Sequence, residues 1–490
     1  MVNSRTSFGG PLVVLCCILF CTACTFADGP WSGNLLHDTT WIALYSPYTV
    51  DHMLTVPNDI TLTIEPGVTV LFEVDAKIAV NGRLVAEGTP DAMIHFTQAP
   101  GATGHWDGLS FDHSMADNRI SYALIEYGRS SSNGMVGVQN SRLTLDHCTL
   151  DNCDLRRIHS IDSSLIVRYC TFTDIFGPNE PPSTDNRSEQ IWGGGIPDDG
   201  WFIIEHNIFG KPKGHNDAID FDGPARPKPI PHILNNIFLG SGDDALDLES
   251  DAHIEGNIFM NIIKDEYNKA SGEANCISAG SGRHYVMVNN LFYNVQHVAQ
   301  VKNDAFLTFI NNTVVDASHA AIYFDLDLPG RQPGRGAYVQ NTIFYNAPQI
   351  FAGVVETTDL TINNCDLPAE WHSYGTGNIE TDPLFVDPNN RDYHLKSQAG
   401  HWDPNNQIWI QDDITSPCID AGDTTSPIGL EPFPNGGVIN IGAYGGTVEA
   451  SKSWFGKPVC DTIVAGDING DCTVDFKDFA IMALHWLEER

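Results

Sequence analysis

A short recurring motif limits this chain's architecture more than any other feature. An Asn followed by apolar residues appears at Asn207-Ile208-Phe209, Asn236-Ile237-Phe238, Asn257-Ile258-Phe259, Asn290-Leu291-Phe292, Asn312-Thr313-Val314, Asn341-Thr342-Ile343-Phe344 and Asn364-Cys365. Successive Asn residues lie 29, 21, 33, 22, 29 and 23 apart. A floor of 21–23 residues with occasional insertions marks a solenoid whose coils carry loops of different length. The strand-like runs are short, alternate in polarity and end in Gly, Asn or Asp, so each coil is β rather than helical. No Leu-rich consensus is present. The predicted fold is an all-β solenoid.

Within that repeat, two segments read as copies of one strand. Ala218-Ile219-Asp220-Phe221-Asp222 aligns with Ala245-Leu246-Asp247-Leu248-Glu249, 27 residues on. Apolar residues alternate with carboxylates, giving one inward and one acidic face. The alignment extends to Cys276–Gly280, Val298–Lys302 and Ala321–Asp325. It predicts two outward columns: Asp220, Asp247, Ser278, Gln300, Tyr323, and Asp222, Glu249, Gly280, Lys302, Asp325. Asp217 and the pair Asp243-Asp244 precede the strands and overhang the same face. Strands stack about 4.8 Å apart, so these acids need a cation or shared protons. The reading places Ca²⁺ among Asp217, Asp220, Asp243, Asp244 and Asp247, with oxygen donors throughout. The bland reading is turn acids on an acidic surface, with or without a structural Ca²⁺.

Composition narrows the partners. With 62 Asp and Glu against 26 Lys and Arg, the formal charge is −36. Nucleic acid is therefore not expected as a ligand, because its phosphates need a basic surface. An apolar run from Pro11 to Phe20, behind Arg5, ends in small residues before a cut after Ala27, which predicts a secretory signal peptide over 1–27. Cys21-Thr22-Ala23-Cys24 also looks like a lipoprotein box, making anchoring at Cys24 the alternative. No later segment is long and apolar enough to cross a bilayer. Of the eight Cys beyond the signal, Cys148 with Cys153 and Cys460 with Cys472 are the expected local bridges.

The tail changes texture. From Asp467 to Asp478, oxygen side chains fall at loop positions 1, 3, 5, 9 and 12, namely Asp467, Asn469, Asp471, Asp475 and Asp478, while Thr473 offers its carbonyl at position 7. That spacing wraps Ca²⁺. Apolar residues at helical spacing follow from Phe476 to Leu487.

The Asn motif resembles the right-handed parallel β-helix over roughly residues 55–450, where stacked Asn side chains form a ladder in one turn. Ile60–Val68 and Val80–Leu84 look like its first coils. The predicted division is signal peptide 1–27, β-helix 28–457 and tail 458–490, an EF-hand-like calcium loop and helix. The tail resembles one repeat of a type I dockerin, with Cys472 where Gly is usual and no second repeat. That resemblance implies a cohesin-type scaffold or cell-surface sorting machinery as partner. Asp243, Asp244 and Asp247 resemble the Asp-Asp-x-x-Asp calcium cluster of calcium-dependent pectate lyases, whose base is a Lys.

The resemblance implies a secreted bacterial enzyme that cleaves a uronic-acid polysaccharide by β-elimination. Lys302 is the first candidate base and Arg283 the next, with Lys264 and Lys269 behind. Asp222, Glu249 and Tyr323 would contact the sugar. Gly242-Asp243-Asp244 also resembles part of the polygalacturonase pattern, so hydrolysis by paired carboxylates is the second reading. Gly280-Ser281-Gly282 lacks that family's His, and Gln300-Val301-Lys302 lacks its Arg. A non-catalytic glycan-binding or surface β-helix is the third.

Overall fold

The computed structural model describes residues 29–484 apart from 131, 176–186, 265, 267, 269–271, 325–331, 457–464 and 469–472. The expected signal segment, the Cys460–Cys472 pair, Lys269, Asp325 and two tail-loop ligands, Asn469 and Asp471, lie outside the described residues.

Alternating strands such as Ile219–Asp222 and Leu246–Glu249 cannot bury their apolar side in isolation. They do so by stacking coil upon coil, like strand on like strand, always in parallel. One sheet holds thirteen strands in chain order, from Thr39–Trp41 to Asp359–Asn363. Two further ladders run beside it and join at the long strand Tyr48–Val56, which pairs into both. Parallel neighbours normally need a crossover helix; here the rest of each coil is the crossover. The chain is a parallel β-helix, as the repeat predicts.

The motif Asn residues hold the stack together. Asn257 Nδ2 donates to Asn290 Oδ1 at 3.0 Å and to the Ile233 carbonyl at 2.8 Å. Asn257 Oδ1 accepts from Asn236 N at 2.9 Å and from Asn236 Nδ2 at 3.0 Å. The same pattern links Asn207 to Asn236 and Asn290 to Asn312. Every residue from Asn207 to Asn312 in this ladder is fully buried. Beneath it the motif Phe rings stack, Phe209 on Phe238 at 4.9 Å, Phe238 on Phe259 at 4.7 Å and Phe259 on Phe292 at 5.1 Å.

Two expectations need correction. Asn341 and Asn364 do not extend the ladder; they sit one residue early, in left-handed turns with φ of 49° and 51°. Thr342 and Cys365 take the ladder position instead, with Asn312 N donating to Thr342 Oγ1 and Thr342 N to Cys365 Sγ. Cys148 and Cys153 form no bridge: both are free and buried. Cys148 occupies the same ladder, its N–H donating to Cys170 Sγ at 3.3 Å, while the Cys153 thiol donates to the Leu155 carbonyl.

After the last coil the chain returns along the outside of the helix. Phe385, Tyr393, Leu395, Cys418 and Ile441 bury against outward-facing Leu291, Val315 and Ile343. Asn289 Nδ2 pins this segment through the Ala443 and Gly445 carbonyls, at 2.8 and 2.7 Å. In the tail, the predicted helix forms over Phe476–Leu484. Asp478, in its first turn, is buried and accepts the Ile468 and Asp475 N–H groups at 2.8 Å each. Phe476 and Phe479 of the apolar stripe face outward. No described helix is long and apolar enough to cross a membrane.

The ladder generates a stability prediction. Asn257→Ala removes three donated bonds and leaves the buried Asn236 donors short of their acceptor, a loss of about 2–4 kcal/mol. Asn364→Gly, at a left-handed position outside the ladder, should cost under about 0.5 kcal/mol. Denaturant midpoints of the two variants check this; equal midpoints would remove the ladder's special role.

Candidate functional site: an acidic face on stacked strands

Six consecutive strands build the face: Ile191–Gly194, Ile219–Asp222, Leu246–Glu249, Asn275–Ala279, His297–Val301 and Ala320–Phe324. Their register places Trp192, Asp220, Asp247, Ser278, Gln300 and Tyr323 in one outward column. Gly194, Asp222 and Glu249 form the next. Ile219, Phe221, Leu246 and Leu248 point inward and are fully buried. The first column is the one predicted from the alternation of the sequence, extended upstream by Trp192; of the predicted second column Asp222 and Glu249 pair as expected, while Lys302 turns into the first and Asp325 lies outside the described residues.

Lys302 follows its strand directly, its N–H bonded to the Ala279 carbonyl at 2.9 Å. Its ammonium turns into the first column, where Nζ donates to Ser278 Oγ at 2.7 Å. Gly280 makes room for that path: a Cβ there would meet Lys302 Cε at 3.2 Å and Glu249 Oε1 at 3.6 Å. Burial pushes the Asp247 carboxyl up, and the Lys302 charge with the Ser278 hydroxyl pulls it back. Asp247 Oδ1 is buried without a hydrogen-bond partner.

At the N-terminal lip of these strands, Asp217, Asp243 and Asp244 each bring a carboxylate oxygen within 4.8 Å of the others. The coil stacking that positions them is visible in their bonds. Asp217 Oδ1 accepts the Asp244 N–H at 2.8 Å. Asp244 Oδ1 accepts Asn275 N at 2.9 Å and Nδ2 at 2.7 Å. Each acid therefore spends one oxygen on the next coil and keeps a second. Asp243 Oδ2 pairs with His215 Nε2 at 2.9 Å. Burial first, then the neighbouring negative charges, push the Asp217 and Asp244 carboxyls well above the usual range. An all-oxygen, convergent and charge-stressed set fits a hard divalent cation such as Ca²⁺.

Asp220 and Asp247 stand further along the strands than this trio. The Asp220 carboxyl is pushed up to about 8 by burial and then by the charges of Asp247, Glu189 and Asp222, against the pull of Arg156. Asp222 and Glu249 are exposed, and Ser281 Oγ donates to Glu249 Oε2 at 2.6 Å. Arg283 does not join Lys302. It lines a neighbouring cleft of about 460 Å³ with Asp222, Glu249 and Lys228, and its charge opposes the rise of the Asp222 carboxyl. Lys264 turns its ammonium to the Gly272 carbonyl. Tyr323 closes the column, its ring stacked 5.7 Å from His297. In the tail loop, Asp475 Oδ1 accepts the Lys477 N–H at 2.7 Å. Asp467 and Thr473 border the loop residues that are not described.

Sequence reading missed one pair. Arg156 and Glu189 are buried together, with Arg156 Nε 3.0 Å from Glu189 Oε2. The Arg156 guanidinium lies 4.2 Å from the Trp192 ring centroid, so it braces the indole beside Asp220. The two residues lie 33 apart in coils without an Asn motif, and no local pattern marks them.

The model of the family described as "Disaggregatase related" matches residues 294–422, the last coils and part of the return segment. No curated protein matches the sequence. Among solved structures, the chain is similar to the catalytic domain of a GH87 α-1,3-glucanase in complex with nigerose, at 12% identity and a TM-score of 0.35, over 68% of this chain and 62% of that one. It is similar to the PL6 family alginate lyase AlyGC at 14% identity and a TM-score of 0.38, over 64% of this chain and 47% of that one. For the pectate lyase Pel9A the values are 15% and 0.34, over 79% and 88%. The chain thus spans less than two thirds of the glucanase domain and of the alginate lyase.

The Asp220 environment gives a pH prediction for the calcium-free protein. A folded carboxyl near 8 against 3.8 unfolded means the folded state holds the proton more tightly. Its stabilising effect is complete below about pH 4 and is lost as pH rises through about 8. Asp220→Asn removes that loss, so in chelator the variant should gain stability over wild type steadily between pH 4 and 8. Melting temperatures across that range decide it; a constant difference would show that Asp220 titrates normally.

Proposed function

We propose that the acidic face cleaves a uronic-acid-containing polysaccharide by calcium-assisted β-elimination. The observation that carries this reading is the position of Lys302. Its amino group lies against Ser278, in the column of Asp247, on the face that the Asp217, Asp243 and Asp244 carboxylates overhang. A base, a cation site and a strip of outward polar groups thus share one face.

Asp217, Asp243 and Asp244 would hold the cation, with Asp247 the next oxygen donor along the face. A divalent cation bound there supplies charge that neutralises a uronate carboxylate and acidifies the adjoining C–H. The Lys302 nitrogen takes the C5 proton of the uronate. The C5–H bond breaks, the C4–C5 double bond forms, and the C4–oxygen bond breaks, with a proton passing to the leaving oxygen. Ser278 orients the amine. Trp192 offers a ring face to a sugar at one end of the column and Tyr323 at the other. Asp222 and Glu249 reach sugar hydroxyls from the second column. The three solved neighbours, named for a glucanase and two lyases, agree with a polysaccharide as substrate. The tail loop is proposed as a separate calcium site and the exposed stripe of its helix as its contact surface for a scaffold or sorting partner. Secretion through the 1–27 segment completes the reading.

One observation favours hydrolysis as the second reading. Asp220 and Asp247 are direct cross-strand partners, and Asp220 is held protonated near neutral pH. A carboxyl held protonated directly beside a second carboxyl is the starting arrangement of an acid–base pair.

Incubation with pectate and alginate, with and without Ca²⁺, separates the two. The lyase reading expects absorbance near 235 nm to rise only with Ca²⁺, and Lys302→Ala to lower the rate by about 10³-fold or more while Ca²⁺ binding is retained. Reducing ends without absorbance, abolished by Asp220→Asn, would replace it with hydrolysis. No cleavage of either kind would leave a glycan-binding surface.

A further inference from the structure

The return segment does more than cover the coils. Where it crosses the strands Ile258–Met260 and Leu291–Val295 it leaves a cavity of about 380 Å³. These strands belong to a different ladder from the acidic columns, so the cavity opens on another face of the helix. Its size falls in the range of small-molecule sites, about 300–1,000 Å³. Tyr293 from the coil and Tyr393 and Tyr444 from the return segment wall it.

One polar atom on a lining residue is desolvated and unsatisfied. Tyr393 is 1% exposed and its hydroxyl has no hydrogen-bond partner. His394 beside it is 2% exposed, with Nε2 ion-paired to Glu449. An unpaired buried polar atom costs about 1–3 kcal/mol. Native folds rarely keep one without a reason, and this one belongs to a residue that lines the cavity. The imidazole is also locked in place. His394 Nδ1 lies 2.7 Å from Asp392 Oδ1, and its ring stacks on Tyr444 at a centroid distance of 3.7 Å. Glu449 stands 3.5 Å from Nε2, close enough to attract it and outside hydrogen-bond geometry.

The charges around the cavity indicate the ligand. Arg391 lies over the Tyr293 ring at 5.4 Å, and Glu449 faces it from the return segment. Arg391 and Glu449 put one charge of each sign on its lining, which leaves no net field to draw a metal ion, a phosphate or a uronate. What remains is aromatic surface beside fixed donors and acceptors. That combination suits a neutral sugar ring, whose C–H face packs on an aromatic ring while its hydroxyls bond to the polar rim.

From this geometry we infer that the cavity is a second carbohydrate site, one that takes a single neutral pyranose through Tyr393 Oη and the Glu449 carboxylate. It does not depend on what the acidic face catalyses. The test uses the full chain and saturation-transfer NMR with calorimetry, against D-glucose, D-galactose, D-mannose and L-rhamnose. At least one is expected to bind in the millimolar range. Tyr393→Phe, which keeps the ring and removes only the hydroxyl, and Glu449→Gln should each weaken binding tenfold or more, while Asp247→Asn on the acidic face leaves it unchanged. The inference is overturned if none of the four sugars binds, or if binding survives both cavity variants. It is equally overturned if Asp247→Asn abolishes binding, which would place the sugar on the other face. None of these outcomes bears on the 235 nm assay.

Discussion

The whole molecule depends on the coil-to-coil hydrogen bond made by a buried side chain at one turn. Main-chain pairing alone permits parallel strands to slip, and a slip of one residue would turn every inward side chain outward. The Asn ladder forbids that. From Asn207 to Asn290 each carboxamide donates to the next residue in the ladder and accepts from the previous one, so a displaced coil would leave buried amides unpaired at about 1–3 kcal/mol each. With the coils locked, Asp220 must face Asp247 and Ser278 must follow, and the acidic column is a consequence of the stack. The lip acids take part in the same logic, since Asp217 and Asp244 each accept a main-chain N–H from the following coil.

That dependence explains what was legible in the sequence. The Asn spacing revealed the solenoid, because a solenoid's period is written in residue number. The period-2 alternation gave the first outward column and the Asp222–Glu249 pair of the second, because a strand's faces follow from its backbone alone. Legibility ended where position depends on bond-making partners rather than on spacing. Asn341 and Asn364 look like ladder members, yet each sits in the left-handed turn that Asn tolerates well, and the smaller Thr342 and Cys365 take the inner position. Cys148 and Cys153 look like a local bridge, yet the ladder takes the first thiol. Arg156 and Glu189 left no pattern at all, since a buried ion pair between distant residues is a product of packing. Arg283 ranked next to Lys302 as a candidate base, while the turn at Gly280–Gly282 carries it to the adjoining cleft.

The face so built is electrostatically unfinished. Burial and like charge raise Asp217, Asp220, Asp244 and Asp247 together, and Lys302 reaches only Asp247 among them. A fold that concentrates acids in this way carries a free-energy cost that a bound cation relieves. On this view the cation is part of the site rather than an ornament on it. The same pressure keeps Asp220 protonated when no cation is present, which is why lyase and hydrolase readings meet on the same residues.

The central claim is that the lip of the acidic face is a calcium site. Anomalous diffraction from crystals grown with Ca²⁺, or with a lanthanide in its place, tests it most directly. The expected result is a strong peak bounded by the carboxylates of Asp217, Asp243 and Asp244, lost in Asp244→Asn. A peak confined to the tail loop, with no density at the lip, would contradict it.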